Sequence, residues 1–487
     1  MEILNAISHT DSTLSPRPRP SPLALLNEVV PERNEDSVGY NLGRDSRRPY
    51  CSRRIERMTS RPPSQREPGS TGEVTSPVLR VAIVRGNDLE ARELLMFDEL
   101  WQLGEIAPAA FGDIPTTRYG IDGVRLPISI LPSLGARLRR LPLGRTLSEV
   151  IERNTNLRLA KSIGLERSLM GFDIVNVRET FHAQSAQAAL AVRQMPASRL
   201  VVSCFENIPF RYEESELAAR HKSLVRASAD LFVANSPGAR LALLSEGVDD
   251  SRIEVIPPAI DTERFAPGDS DVALRSQWGA AASDVVILYA GRLLSEKGLV
   301  PFLLAVSDLL RSDAANGGVR LVFHGDGPER PRLARAIASM GLQNLVTFSN
   351  WVPTVDMPNV YRSADIVVLP SLSTPYWTEQ FGFNLVEAMG CGIPVIGTAT
   401  GEIPWVIGDA GVVVPEHDPA GLRSAVAFLA ENSSERRRLG GLARRTTVDR
   451  FSVHAAGRLL VLAFRTAGSR PTRSHLTRGA SETSHGE

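Results

Sequence analysis

The strongest constraint in this 487-residue chain is a rhythm in which short, apolar, β-rich runs alternate with amphipathic runs of helical length. In the second half VVILYAG, VRLVFHG, NLVTFS, DIVVLPS, PVIGT and GVVVP read as strands of the fully buried kind, mostly separated by helical segments such as KGLVPFLLAVSDLLR and ERPRLARAIASMG. Strands hidden on both faces and joined by crossover helices form a parallel sheet. From Pro77 the first half carries the same alternation, with LRVAIVRG, FDIVNVRE, RLVVSCFE and ADLFVANS as strands and LEARELLMFDELWQLG as a helix. At roughly 100–200 residues per domain the length asks for two or three domains. The expectation is α/β: two Rossmann-like domains, 77–257 and 258–450, joined near IEVIPPAIDTERF and facing across a cleft. A helix over 451–466 is expected to pack back toward the first domain. No short internal repeat points to a solenoid.

Composition limits the rest. Residues 1–76 are rich in Pro, Ser and Arg and cannot bury enough apolar surface to offset their ordering entropy, so they read as a disordered tail, as do 467–487. The arginine run from Arg44 to Arg66 reads as a solvated tail, with docking on an anionic surface as the alternative, and Met58 is an alternative start of translation. Formal net charge is zero, and nothing in the composition calls for nucleic acid. Cys51, Cys204 and Cys391 show neither paired nor metal-ligand spacing, which suggests a reducing, cytoplasmic location. No apolar run approaches the roughly 20 residues that span a bilayer, so any membrane contact is expected to be peripheral, at the inner face.

In open α/β sheets ligands bind beyond the carboxyl ends of the strands. GRLLSEKG follows one such end and places Arg292 and Lys297 in a strand-to-helix loop. A planar cation, a point cation and the free N–H groups of a helix start form a phosphate or diphosphate site, and two solvated surface charges are the alternative. A second loop, TEQFGFNLVEAMGCGIPVIGT, holds Glu379 and Glu387 with seven residues between them. With a helix starting near Gly382, Glu379 precedes it and Glu387 lies about one and a half turns in, roughly 7 Å along at ~1.5 Å per residue. Two carboxylates flanking a helix start suit an extended ligand with hydroxyls at both ends and a phosphate between, which describes a nucleotide sugar. Gly382 lets the backbone approach it.

Read together, GRLLSEKG, HGDGPERPRL, ADIVVLPS, EQFGFNLVEAMGCGIPVIGT and GEIPWVIGDAGVVVPEHD resemble the retaining nucleotide-sugar glycosyltransferases of family four, which have the GT-B fold. The resemblance is strong from about Ala229 to Phe451, weaker from Pro77 to Ser228 and absent from the tails. It implies a metal-independent transfer of a sugar from a UDP- or GDP-type donor to an acceptor hydroxyl, with no bound cofactor. Arg292 and Lys297 would hold the diphosphate and stabilise the leaving group, with Glu379 at hydroxyls of the transferred sugar and Glu387 at the ribose. Backbone N–H groups of Gln380, Phe381 and Gly382 would line sugar and phosphate, and Trp351 and Val352 would lie near the base.

The first half departs from the family. RGND offers only Gly86 where many relatives have a glycine pair, and Phe205 stands where many have a histidine. Glu206, Asn207 and His182 are candidates for the acceptor side, with capping or structural roles as the alternative. The acceptor, whether sugar, lipid-linked sugar or small molecule, is not named by the sequence.

Three motifs read as decoys. DSD at Asp269–Asp271 mimics a metal-binding carboxylate pair but lies in a polar linker. GDGPER lacks the third glycine of a dinucleotide loop. GARLRRLPLGRTLSEVIERN suits either a packed helix or an anionic lipid surface. Rival readings for the whole chain are a nucleotide-sugar epimerase and a non-catalytic GT-B scaffold.

Overall fold

The computed structural model describes residues 77–86, 89, 91–113, 124–133, 161–311 and 318–470. Both tail segments up to 76 and from 471, and the basic stretch 135–154, lie outside these. The first sheet contains β1 (Leu79–Val84), β2 (Ile106–Gly112), β3 (Ile128–Ile130), β4 (Ile174–Arg178), β5 (Arg199–Cys204), β6 (Leu231–Ala234) and β7 (Ile253–Val255). Its order is β3-β2-β1-β4-β5-β6-β7, parallel throughout. The second contains β8 (Val285–Ala290), β9 (Val319–His324), β10 (Val346–Ser349), β11 (Ile366–Leu369), β12 (Val395–Thr398) and β13 (Gly411–Val414), in the order β10-β9-β8-β11-β12-β13. This is the expected two-sheet GT-B architecture. In each sheet the strand order reverses once, between β1 and β4 and between β8 and β11, and such switch points are where crevices open.

The helices used below are α1 (Ala91–Gln102), α2 (Ala183–Arg193), α3 (Pro237–Ser245), α4 (Leu299–Arg311), α5 (Phe383–Gly390), α6 (Ser433–Phe451) and α7 (Val453–Ser469). Core strands such as β8, β11 and β12 are buried almost end to end because α/β packing covers both faces.

Three elements differ from the sequence reading. The run IAPAAFG forms β2 despite Pro108, because β3 pairs only with Ala110–Gly112 and leaves β2 a local edge at the proline. The hinge segment contributes the short edge strand β7. The last helix runs to Ser469 rather than ending at 466, with Ala467 fully buried. Arg470 anchors its end by donating to the carbonyls of Asp230 and Ser251.

The chain passes between the two sheets twice, side by side: Ile260 N–H donates to Phe451 C=O at 2.8 Å, next to a bridge from Ile260 to Ser452. Ser452 then caps α7 by accepting from Ala455 N–H. Helix α7 packs on α1 through Phe464 and Phe97, whose rings stack at 6.4 Å.

Candidate functional site

The loops after β8 and β11 meet at the switch point of the second sheet. Gly298 has φ 64°, and a Cβ there would lie 2.1 Å from the Pro370 carbonyl oxygen, so only glycine allows the two loops to touch. Their contact brings Lys297, in the turn Ser295–Lys297 before α4, to Glu379. Lys297 Nζ is 2.6 Å from Glu379 Oε2, Ser371 Oγ donates to the same oxygen at 3.0 Å, and the Trp377 ring centroid is 4.5 Å from the amine. Both charged side chains are mostly enclosed, at 14% and 11% exposure, which strengthens the pair. Arg292 is exposed, and among the described residues its guanidinium makes no hydrogen bond or ion pair. One cation is thus held and the other left open.

Helix α5 begins where Glu379 ends its loop. Gly382, at φ 82°, is its N-cap, with no side-chain cap and no acidic residue in the first turn; Leu385 N–H donates to Gly382 C=O at 2.9 Å and to Asn384 Oδ1 at 3.0 Å, so the N–H groups of Phe383 and Asn384 are those left to a ligand. Asn384 Nδ2 donates to the Ala290 carbonyl at 2.8 Å and ties the helix start to the end of β8. Glu387 is half-buried and accepts from the Tyr361 hydroxyl at 2.7 Å. The Phe381 ring is 2% exposed and meets Phe451 edge-on at 5.5 Å, so its backbone is the part left to a ligand. Trp351 is 40% exposed, whereas Val352 packs on the core beneath it. GDGPER is a loop clasp, since Leu293 N–H donates to Asp326 C=O and Leu293 C=O accepts from Glu329 N–H. Asp271 caps a helix by accepting from Leu274 N–H at 3.0 Å.

The first-half candidates divide. Gly86 and His182 lie near each other after β1 and β4, a Cβ on Gly86 falling 3.9 Å from His182 Nδ1. His182 precedes α2 without capping it by its side chain, and its ring sits edge-on to Phe181 at 4.7 Å. Burial, reinforced by the Arg178 charge, pulls its pKa down to about 4 and keeps it neutral. Phe205, in the position of the missing histidine, faces Phe383 at 6.4 Å and lies under Arg178 at 5.5 Å.

Glu206 and Asn207 reach across the cleft. Asn207 Nδ2 donates to the Glu379 carbonyl at 3.1 Å and its Oδ1 accepts from Thr378 Oγ1 at 3.0 Å; Gln380 Nε2 lies 3.5 Å from Glu206 Oε2. Glu402, buried on the second-domain side, lies against Gly238 at the start of α3, where a Cβ would fall 1.9 Å from its Oε1, and its own N–H donates to Glu379 C=O at 2.9 Å. Asn207 is therefore a clasp on the loop that carries Glu379 rather than a group left open for an acceptor.

Sequence reasoning missed Ser371, Trp377, Glu402 and Glu179. Glu179 follows β4 directly at a switch point, and that position was the only available signal. Among the described residues no three His, Cys, Asp or Glu side chains gather as a metal site, and no helix is long and apolar enough to cross a membrane.

Residues 272–446 match the family described as Glycosyl transferases group 1, and residues 105–264 match Glycosyltransferase Family 4. The chain belongs to the group 1 glycosyltransferases. It is 35% identical over 240 residues to the D-inositol 3-phosphate glycosyltransferase of Geodermatophilus obscurus, a match covering 46% of this chain and 52% of that protein. The chain thus spans about half the length of the curated relatives it matches. Among solved structures it resembles HepE of Anabaena in complex with UDP, with a TM-score of 0.62 and 19% identity over 80% of this chain and all of that one. The UDP-glucose complex of HepE gives 0.60 and 18% over the same share. At such identities the likeness of this group 1 chain to HepE concerns the fold.

Proposed function

We propose that the protein is a retaining glycosyltransferase moving a sugar from a UDP-type donor to an acceptor hydroxyl without a metal. The observation that carries this is the second-sheet switch point. There the Lys297–Glu379 ion pair, Arg292, which makes no hydrogen bond or ion pair among the described residues, and the start of α5, tied to the end of β8 by Asn384, lie on adjoining loops. The UDP and UDP-glucose held by HepE on the same fold support the donor class.

In this reading the diphosphate lies at the α5 N-terminus between Arg292 and Lys297. Glu379 receives hydroxyls of the sugar, and Glu387 the ribose. The bond from the anomeric carbon to the diphosphate oxygen breaks while the acceptor oxygen bonds to the same face, and the acceptor proton passes to the departing phosphate. Cations placed where this charge develops commonly contribute about 2.7–4 kcal/mol each. The acceptor enters from the first-domain side, and closure of the cleft excludes water.

Thermal-shift titration of UDP, GDP, ADP and dTDP with and without EDTA tests the donor site. The expected result is a rise with UDP, unaffected by EDTA and lost in Arg292→Ala, since a ligand at a hundredfold excess over its Kd stabilises by about 2.7 kcal/mol. No shift with any nucleotide overturns it. An inverted anomeric configuration in the product overturns retention.

A further inference from the structure

The segment after Asn207 is strained in an unusual way. Phe210 has φ 59° and Tyr212 φ 68°, left-handed conformations that bulky aromatic residues rarely adopt. Such strain persists only where the surroundings over-determine it. Here a buried ionic cluster does so. Lys222, 1% exposed, donates to the Arg211 carbonyl at 3.1 Å and pairs with Glu246 at 2.5 Å. Glu246 in turn accepts from Phe210 N–H at 2.8 Å and pairs with Arg226 at 2.8 Å. The cluster thus fixes the backbone from Phe210 to Tyr212, and with it the position of Arg211.

Arg211 reaches the other domain. The turn Thr374–Trp377, closed by backbone hydrogen bonds of 2.8 and 3.3 Å, displays Tyr376 at its tip. The Arg211 guanidinium lies 4.7 Å from the Tyr212 ring and 5.5 Å from the Tyr376 ring. Among the described residues this guanidinium makes no hydrogen bond and no ion pair, so its N–H edges remain open. Glu206 is the carboxyl that interacts with it electrostatically. It is held by Ile208 N–H, and burial raises its pKa and weakens its claim on the arginine.

The two loops run antiparallel across the cleft, Glu206 beside Gln380, Asn207 beside Thr378 and Glu379, Arg211 beside Tyr376. Tyr376 is three residues before Glu379, at most about 10 Å along an extended chain. The order from the α5 N-terminus is therefore phosphate ground, then Glu379, then Arg211.

We propose that Arg211, set between Tyr212 and Tyr376, is an acceptor subsite that recognises an anionic group, phosphate or carboxylate, on a sugar or polyol acceptor. This rests on the glycosyltransfer reading above. Guanidinium stacked between rings keeps its edge free for a bidentate oxyanion, a geometry that an ammonium does not reproduce. The Tyr212 ring is packed on Phe181 at 4.4 Å, whereas the Tyr376 ring, 62% exposed, is the one that suits the C–H face of a sugar.

The test uses full-length protein saturated with UDP to block the donor site, titrated with glucose, glucose 6-phosphate, glucuronate and inorganic phosphate and followed by tryptophan fluorescence. The phosphate and carboxylate arms separate the two sources of charge. At least one anionic sugar is expected to bind at least tenfold tighter than glucose. Arg211→Ala should abolish that preference, Arg211→Lys should restore it only in part, and the UDP thermal shift should stay unchanged in both. Equal binding of glucose and its anionic analogues, a preference that survives Arg211→Ala, or no Arg211-dependent binding of any anion overturns the proposal. If wild-type protein shows no UDP shift, the donor reading has failed. The same titration in an Arg292→Ala background then still decides whether Arg211 binds an oxyanion.

Discussion

The two walls of the cleft use charge in opposite ways. On the second-domain wall Lys297, Glu379 and Arg292 come from two short loops, and among the described residues Arg292 makes no hydrogen bond or ion pair. On the first-domain wall Arg85, Glu93 and Arg178 form a triad: Arg85 Nε lies 3.1 Å from Glu93 Oε2, and Arg178 pairs with the same carboxylate. Arg85 also donates to Asn176 Oδ1 at 3.0 Å, and burial lowers its pKa only to about 10, so it stays charged. The two walls thus carry three ionic groups each, but on the first-domain wall all three are paired. A charge paired inside a wall sets shape; the open charge beside a helix start is the one the proposed function uses.

This contrast breaks first if the triad proves dispensable. Glu93→Ala strands two arginines, one of them buried, and removing one partner of a buried pair typically costs about 3–5 kcal/mol. Denaturant unfolding should show such a loss, with UDP binding intact in the folded fraction. Arg292→Ala should do the reverse: a barrier increase of about 2.7–4 kcal/mol in turnover with an unchanged melting temperature, because no protein partner is lost. A destabilised Arg292→Ala would show that the arginine is structural after all. Between them lies Asn207→Ala, which removes the clasp on the Glu379 loop. A fall of about tenfold in kcat/KM, equivalent to about 1.4 kcal/mol, is expected with the UDP shift retained. A lost UDP shift would instead make Asn207 part of the donor site.

What the sequence could reveal follows the same division. Within each loop the candidate residues are local: Arg292 and Lys297 lie in one loop, and Glu379, Gly382 and Glu387 in one loop and its helix, so spacing sets their order, whereas the Lys297–Glu379 pair joins residues 82 apart. Asn207 and Thr378 are far apart in sequence, as are Arg85 and Asn176, and no local pattern announces those contacts. Phe381 shows the limit even within a motif, because a helix-start residue can face ligand with its backbone and core with its ring. The β2 strand was hidden by Pro108, whose tolerance depends on a partner strand too short to need its N–H. The alternation of buried strands and helices was enough for the two-sheet architecture because each period is set locally.

The smallest effect concerns Glu179, and it needs a variant to be seen at all. This residue has φ 60°, is 5% exposed, and accepts from Phe205 N–H at 2.7 Å and Glu206 N–H at 3.3 Å, so it shapes the turn that delivers Asn207. Burial raises its pKa from 4.5 to about 7, against those hydrogen bonds and the nearby Arg178. The folded protein then keeps a proton that the unfolded chain has released. Its contribution to stability is full below pH 4.5 and is lost as pH rises to about 7. His182 works with the opposite sign: lowered from 6.5 to about 4, it contributes fully above pH 6.5 and loses that contribution as pH falls. Between pH 4.5 and 6.5 the two slopes oppose one another, so wild-type stability is nearly flat as far as these groups decide it. Glu179→Gln keeps an oxygen for both N–H groups but cannot ionise. Its melting temperature should therefore rise with pH across that interval and its advantage over wild type should grow toward pH 7. Parallel profiles for variant and wild type would mean that Glu179 ionises in the folded protein as easily as in the unfolded one, and that the first-domain wall is wetter beneath its turn than its burial implies.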